Sequence, residues 1–281
     1  MTFRFKIVVR VFAGILLAVL LYLGFLIVWA SLTDYEPGNT EDAEIIVSPD
    51  KEGFLTDSVL TFLSWNIGYA GLGAEMDFFY DGGEMVKPAP ELNDRYFSGI
   101  IKSLQSEDTL DLILLQEVDR NSSRTQNQDQ MALIQKELPD FTPVFFTNYK
   151  VQFVPVPFFN PLGQVEMGQM TLSRPKPVSY ARYSYPAEFG WPFRLFMPDR
   201  CFIVTRYPHE SGVDVVVINT HNSAYDTSGK LREKEMPVIR DYMLAQYEQG
   251  HFVIAGGDWN QNPPHYQPES IVSPYPASTR I

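Results

Sequence analysis

Residues 252–260 read Phe252-Val253-Ile254-Ala255-Gly256-Gly257-Asp258-Trp259-Asn260: an apolar run, two glycines, then an acid and an amide two positions apart. The same pattern occurs three more times. Leu63-Ser64-Trp65-Asn66 ends in an amide, Leu112-Ile113-Leu114-Leu115-Gln116-Glu117 in an acid, and Val215-Val216-Val217-Ile218-Asn219-Thr220-His221 in an imidazole. Short apolar runs that stop at a polar cluster read as buried strands. A polar side chain at the end of such a strand is held rigidly and faces a cleft. Strand endings of this kind from distant parts of the chain predict one assembled, metal-dependent site.

Each ending has its own chemistry. On a strand, positions i and i+2 point to one face, so Asp258 and Asn260 would enter the same cleft while Trp259 turns away into packing. Gly256 and Gly257 would let the backbone turn sharply there. The competing reading is a strand-to-loop turn that Asp258 and Asn260 merely cap. Glu117 closes a run too apolar to hold a carboxylate cheaply unless it is paired or bound to metal. Hard oxygen ligands suit Mg²⁺, which keeps several waters and needs few protein ligands; pairing with Arg120 or Arg124 is the alternative. His221 could donate to a phosphoryl oxygen or act as an acid near neutral pH, or be a satisfied histidine in a turn. Asn66 alone reads as a turn cap.

Between these endings the chain alternates. Val59–Asn66, Asp111–Glu117, Val213–Thr220 and His251–Gly256 read as strands, as does Cys201–Thr205, while Phe141–Val154 reads as one or two. Leu92, Tyr96, Ile100 and Leu104 recur every four residues and predict a helix over Asn93–Gln105. A second helix is expected over Gln128–Leu138. A third is expected to start at Pro237, because proline is tolerated in a first turn. Gly68–Pro90 reads as a loop. Residues 151–200 hold eight prolines and ten aromatics, and only Met167–Ser173 looks regular. Aromatics such as Phe158, Phe159, Trp191 and Phe193 would either fill the core or form a lip near a bilayer.

Composition narrows the function. The chain is 281 residues long and 45% hydrophobic, which is globular rather than disordered. Residues 1–33 hold Arg4, Lys6 and Arg10 and no acid, so the formal net charge of −12 leaves −15 for residues 34–281. That surface disfavours a nucleic-acid partner. Cys201 is the sole cysteine, which excludes an intrachain disulfide and a thiolate metal cluster, and it reads as a buried apolar residue.

Val11–Ala30 is twenty residues without a charge. As a helix it would span about 30 Å, a bilayer core. Basic residues precede it and acids follow, so the N-terminus is expected in the cytoplasm and the rest outside, in a bacterial periplasm. A cleavable signal peptide ending at Val28-Trp29-Ala30 competes, but the run is longer than a signal core. Asp34–Asp57, with eight acids and one lysine, reads as a solvated tether. The expected organisation is a basic end and anchor over 1–33, an acidic linker over 34–57 and one domain over 58–281.

Taken together, the ordered set Trp65-Asn66, Gln116-Glu117, Asn219-Thr220-His221 and Gly257-Asp258-Trp259-Asn260 resembles the endonuclease/exonuclease/phosphatase superfamily. Gly168–Arg174 is similar to that family's central strand, and the resemblance covers about Val59 to Pro264. It implies an α+β fold, a four-layer αββα sandwich like deoxyribonuclease I, and hydrolysis of phosphate esters with Mg²⁺ or Mn²⁺. By matching position, Glu117 would be the main metal ligand, Asn66 would support the metal or phosphate, and Asp258 would orient or deprotonate the attacking water. Asn260 would hold the phosphate, and His221 would stabilise the transition state.

Asn222-Ser223-Ala224 after His221 is closer to the deoxyribonuclease I pattern than to the apolar residue of many members. The family's final Asp-His dyad has no counterpart after Asn260, and His265 lies too near to serve. The sandwich is therefore expected to be incomplete at its C-terminus, as in a truncated chain. Two functions follow: a membrane-anchored phosphoesterase acting on a lipid or small phosphate ester, or a non-catalytic binding protein that keeps the fold.

Overall fold

The computed structural model describes residues 3–38, 40–41, 44–45, 59–186, 189–226, 228–262 and 265–266. Helix α1 (Phe3–Leu32) leads into two five-stranded mixed sheets. The first sheet has the order β2 (Glu44–Ile45), β5 (Thr142–Val154), β6 (Gly163–Ser173), β4 (Leu112–Asp119) and β3 (Phe62–Asn66). The second has the order β1 (Thr40–Glu41), β7 (Ser179–Ser184), β8 (Cys201–Pro208), β9 (Asp214–His221) and β10 (Phe252–Asp258).

Each sheet contains one parallel pair, β3/β4 in the first and β9/β10 in the second. Parallel neighbours need a crossover, and helices α2 (Pro90–Gln105) and α4 (Lys230–Glu248) supply them. This arrangement brings the C-terminal ends of paired strands side by side. Asn66 sits opposite Gln116, and Asp258 opposite His221.

The layers are αββα, as the family resemblance implies. Ile100 and Leu104 of α2, with Met131 and Ile134 of α3 (Gln130–Glu137), cover Ile113 and Leu115 on the outside of the first sheet. Leu112 and Leu114 point inward and pack with Val215, Val217 and Tyr207 of the second sheet. On the far side, Ile239 of α4 packs with Phe202, Val216 and Ile218. Cys201 is buried in β8, as its apolar character predicts.

Several expectations need correction. Helix α2 starts at Pro90, not Asn93, with proline in its first turn. The last helix does not start at Pro237. It begins at Lys230, where the Asp226 carboxylate accepts from the amides of Leu231 at 2.7 Å and Arg232 at 3.4 Å. Pro237 is an interior residue there. Residues 151–200 are more regular than their prolines suggest, since β6 extends back to Gly163 and β7 spans Ser179–Ser184.

Part of the acidic stretch is paired rather than free: β1 joins β7 and β2 joins β5. Phe158, Phe159, Trp191 and Phe193 are exposed, Phe159 at 96%, so they do not fill the core. The expected lack of closing strands and of an Asp-His dyad falls on residues 263–264 and 267–281, outside the described residues.

Candidate active site

Asn66, Glu117, His221 and Asp258 meet where the two parallel pairs face each other. The Asn66 amide nitrogen donates to Asp258 Oδ2 at 2.7 Å and to Glu117 Oε1 at 3.2 Å. Its oxygen accepts from the Gly68 amide at 2.9 Å. His221 Nε2 lies 3.8 Å from both Glu117 Oε1 and Asp258 Oδ2. Asn66 thus presents its nitrogen, not its oxygen, to the two carboxylates.

A backbone irregularity aims Glu117. In a regular strand Leu112, Leu114, Gln116 and Val118 would share a face. Instead Val118 joins Ile113 and Leu115 on the helix side. Register with β6 slips between Leu115 and Val118, and Glu117 has φ 56°. A non-glycine residue held in the left-handed region costs about 1–3 kcal/mol and concentrates at functional sites. The bulge lets consecutive residues do separate jobs. Gln116 reaches across the sheets to Asn219 Oδ1 at 2.7 Å, and Glu117 enters the cleft.

The neighbouring motif residues divide in the same way. The Asn219 amide donates to the carbonyls of Leu115 and Met170, each at 3.2 Å, clasping the sheets. Thr220 donates to Asn222 Oδ1 at 2.9 Å and lies 2.7 Å from the Tyr185 hydroxyl. Asn260 has φ 48°, its amide N–H donates to Asp258 Oδ1 at 2.9 Å, and its side chain donates to the Asn222 carbonyl at 2.9 Å. Asp258 and Asn260 therefore form the capped turn that the competing reading described, while Oδ2 of Asp258 still faces the cleft. Trp259 packs against the second sheet's outer cluster, as expected.

Gly256 and Gly257 lie inside β10 and do not make its turn. Their role is close approach: a Cβ at Gly257, where φ is +140°, would sit 2.0 Å from the Thr220 carbonyl oxygen.

Electrostatics separate the groups. Neither Arg120 nor Arg124 pairs with Glu117. Arg124 forms a bidentate ion pair with Asp119 at 2.8 and 3.0 Å, and Arg120 lies 3.5 Å from Asp129. Burial raises the Glu117 carboxyl above the usual carboxylate range, against the lowering pull of Arg124, the Asn66 hydrogen bond and Arg200. His221, 1% exposed, is held well below the usual histidine range by burial and then by the Arg200 charge. It is neutral at pH 7, and its Nδ1 has no hydrogen-bond partner among the described residues.

Sequence reasoning missed Arg200 and Tyr69. Arg200 stands just before β8 and faces the charges of Glu117, Glu235 and Asp258. Its Nη1 is sealed from solvent and unpartnered among the described residues. A lone arginine after Met197-Pro198-Asp199 carries no spacing signal. Tyr69 follows Asn66 in a buried left-handed segment, with Gly68, Tyr69 and Ala70 at φ 52°, 44° and 53°. The segment is fixed by Gln130 donating to the Tyr69 carbonyl at 2.8 Å and Asn93 donating to the Ala70 carbonyl at 2.6 Å. The Arg124 guanidinium lies 3.5 Å from the centre of the Tyr69 ring.

The sequence profile of the Endonuclease/Exonuclease/phosphatase family matches residues 63–278. The chain belongs to that family. Enzymes of the Endonuclease/Exonuclease/phosphatase family are hydrolytic phosphoesterases and generally use divalent metals. No curated protein matches the chain.

Solved structures similar to it include the human Nocturnin catalytic domain with bound sulfate, at 16% identity over 79% of this chain and 69% of that one, with TM-score 0.48. A humanized D. rerio TDP2 with 14 mutations is 16% identical over 72% of this chain and 67% of that one, with TM-score 0.45. An endonuclease/exonuclease/phosphatase from Beutenbergia cavernae DSM 12333 is 19% identical over 64% of this chain and 43% of that one, with TM-score 0.47.

Among the described residues no group of three or more His, Cys, Asp or Glu side chains forms a metal cage. The donors do fit a sparsely ligated hard cation. Glu117 and Asp258 share one amide nitrogen, and among the described residues neither accepts a hydrogen bond from a lysine or arginine. Mg²⁺-like ions are commonly held by one or two carboxylates plus water and substrate oxygens.

Proposed function

We propose that this chain is a divalent-metal-dependent phosphoesterase that hydrolyses a lipid or small phosphate ester. The observation that carries this reading is the convergence of Glu117 and Asp258 on the Asn66 amide, beside a neutral His221, within a family of phosphoesterases. Glu117 would hold the cation, Mg²⁺ or Mn²⁺, which when bound neutralises charge on the phosphoryl oxygens. Asn66 positions the two carboxylates. Asp258 accepts a proton from the attacking water and orients it. His221, uncharged, donates one hydrogen bond to the phosphoryl group as charge builds there. Asn260 fixes the turn that carries Asp258, and Arg200, whose Nη1 has no partner among the described residues, adds positive charge beside the phosphate.

The acidic surface argues against nucleic acid as substrate. Helix α1 is read as an uncleaved membrane anchor with its N-terminus in the cytoplasm and the catalytic domain in a periplasm. Its mean hydropathy reaches 2.9, and it is bare from Phe5 to Phe25. Leu26 and Ala30 are buried, and the helix touches β5 and the short helix Phe193–Phe196, which supports a domain seated at the membrane surface.

The test uses the full chain in nanodiscs with bis(p-nitrophenyl) phosphate and p-nitrophenyl phosphate, in Mg²⁺, Mn²⁺ or EDTA. Metal-dependent release of nitrophenol, lost in Glu117→Ala and Asp258→Ala, supports the reading. Phosphate binding without turnover in any metal would favour the non-catalytic alternative.

A further inference from the structure

Beside Glu117 and Arg200 the molecule holds a cavity of about 190 Å³. Its wall is mostly apolar, with Phe78, Tyr80, Tyr149, Leu162, Met167 and Tyr225 among the lining residues. Arg200 Nη1 and the Tyr69 hydroxyl belong to lining residues, are sealed from solvent and have no hydrogen-bond partner among the described residues. Buried donors without partners are rare in folded proteins, and each is costly.

The wall is preformed. The Tyr149 hydroxyl donates to the Phe196 carbonyl at 2.7 Å, and the Tyr225 hydroxyl donates to Asp81 Oδ1 at 3.2 Å. The rings of Tyr80 and Tyr225 lie 5.5 Å apart. Two of the wall's phenols thus have their polar ends committed elsewhere, leaving ring surface to meet a ligand.

We infer that this cavity binds the organic group of the substrate, and that this group is a single flat aromatic ring joined to the phosphate. The inference rests on the phosphoesterase reading and names its substrate class, a monocyclic aryl phosphate ester. An apolar cavity of about 150 Å³ is enough to admit a benzene ring. The space here admits one such ring, and its aromatic, mostly apolar wall suits a flat apolar group. Glu117, Arg200 and Tyr69 all line this cavity, so a small side-chain shift would bring Arg200 Nη1 and the Tyr69 hydroxyl to phosphate or ester oxygens.

The experiment is calorimetric titration of the full chain in nanodiscs with phenylphosphonate and methylphosphonate, in EDTA and again in Mg²⁺. Phenylphosphonate should bind at least about ten-fold tighter, the change that burying roughly 60 Å² of apolar surface supplies. Leu162→Trp fills the cavity, and Leu72→Trp narrows it from a position 38% exposed that tolerates bulk. Either should bring the ratio of the two affinities close to one, and Arg200→Met should weaken both ligands.

Equal affinities in the wild-type chain, no binding of either ligand, or a ratio that survives in both folded tryptophan variants would overturn the inference. The phosphoesterase reading fails separately. Preferential phenylphosphonate binding with no ester hydrolysis would sink the catalytic reading alone, and hydrolysis with equal kcat/KM for phenyl and methyl esters would sink the ring pocket alone.

Discussion

Asn66 and Asp258 are 192 residues apart in sequence and belong to different sheets, yet the Asn66 amide donates to the Asp258 carboxylate at 2.7 Å. The same nitrogen reaches Glu117 at 3.2 Å, so one neutral donor keeps two acids together. Removing it leaves like charges facing each other. Asn66→Ala should cost about 1.5–3 kcal/mol, the usual worth of a hydrogen bond to a charged group. Asn66→Asp should be worse at neutral pH than at pH 4, because it adds a third carboxylate. Urea denaturation at both pH values checks this, and equal losses would show that charge is not what Asn66 manages.

Glu117 should trade stability for activity. Its carboxyl is raised by burial, so the folded state holds its proton more tightly than the unfolded state. Stability is therefore lost as pH rises through the interval between the unfolded and folded values, and stays lost above it. Glu117→Gln keeps the acceptor for Asn66 and removes the charge. It should melt higher than wild type at pH 8, with no such gain at pH 4, while metal-dependent turnover disappears. A Tm unchanged at pH 8 would contradict the burial argument.

His221 carries the opposite sign. Its imidazole is held well below the usual range, so the unfolded state takes up the proton first as pH falls. Stability contributed by the neutral ring is present above about pH 6.5 and is lost progressively below it. His221→Leu should flatten that acid-side loss and lower kcat by about 10²–10³ through the lost transition-state donor. The wild-type kcat profile should show no ionisation of His221 near neutrality, which NMR titration of the ring tests directly.

Gly257 is fixed by its neighbour rather than by chemistry. A Cβ there would meet the Thr220 carbonyl at 2.0 Å, and φ is +140°. Gly257→Ala should destabilise by at least about 3 kcal/mol, in the range that marks strain at a special backbone site. Gly82, also at positive φ but with open space around it, is the control and should lose far less when changed to alanine.

The bare length of α1 makes a prediction about placement. Leu16 and Leu20 are exposed on that helix. Arginine at either should cost about 2.5–3.5 kcal/mol near a bilayer centre. Leu16→Arg with Leu20→Arg should release the chain from membranes on alkaline carbonate extraction, where the wild type stays in the pellet. Wild-type release would remove the anchor reading.

Apolar runs that close in Asn66, Glu117, His221 and Asp258 announced four strands and the residues that meet at their ends. The order of those endings carried the family and the layered α+β fold. Helix boundaries were less legible: Pro237 looked like a first-turn residue because the real cap, the Asp226 carboxylate, acts from four residues before the helix. The roles of neighbours within a motif were not legible either. Gln116 and Glu117 are adjacent, but one clasps the sheets and the other enters the cleft.

Local sequence determined which segments are extended or helical, since hydrophobic periodicity and buried-strand composition act over a few residues. It also determined the net acidity and the apolar N-terminal helix. Only the tertiary structure decided what faces what. The bulge at Glu117 arises from pairing with β6, and the shared hydrogen bonds of Asn66 arise from two sheets packing face to face. The burial that raises Glu117 and lowers His221, and the cavity that brings Arg200 and Tyr69 together, depend on contacts between residues far apart in the chain. Those energies are set by distance and desolvation, which no short stretch of sequence encodes.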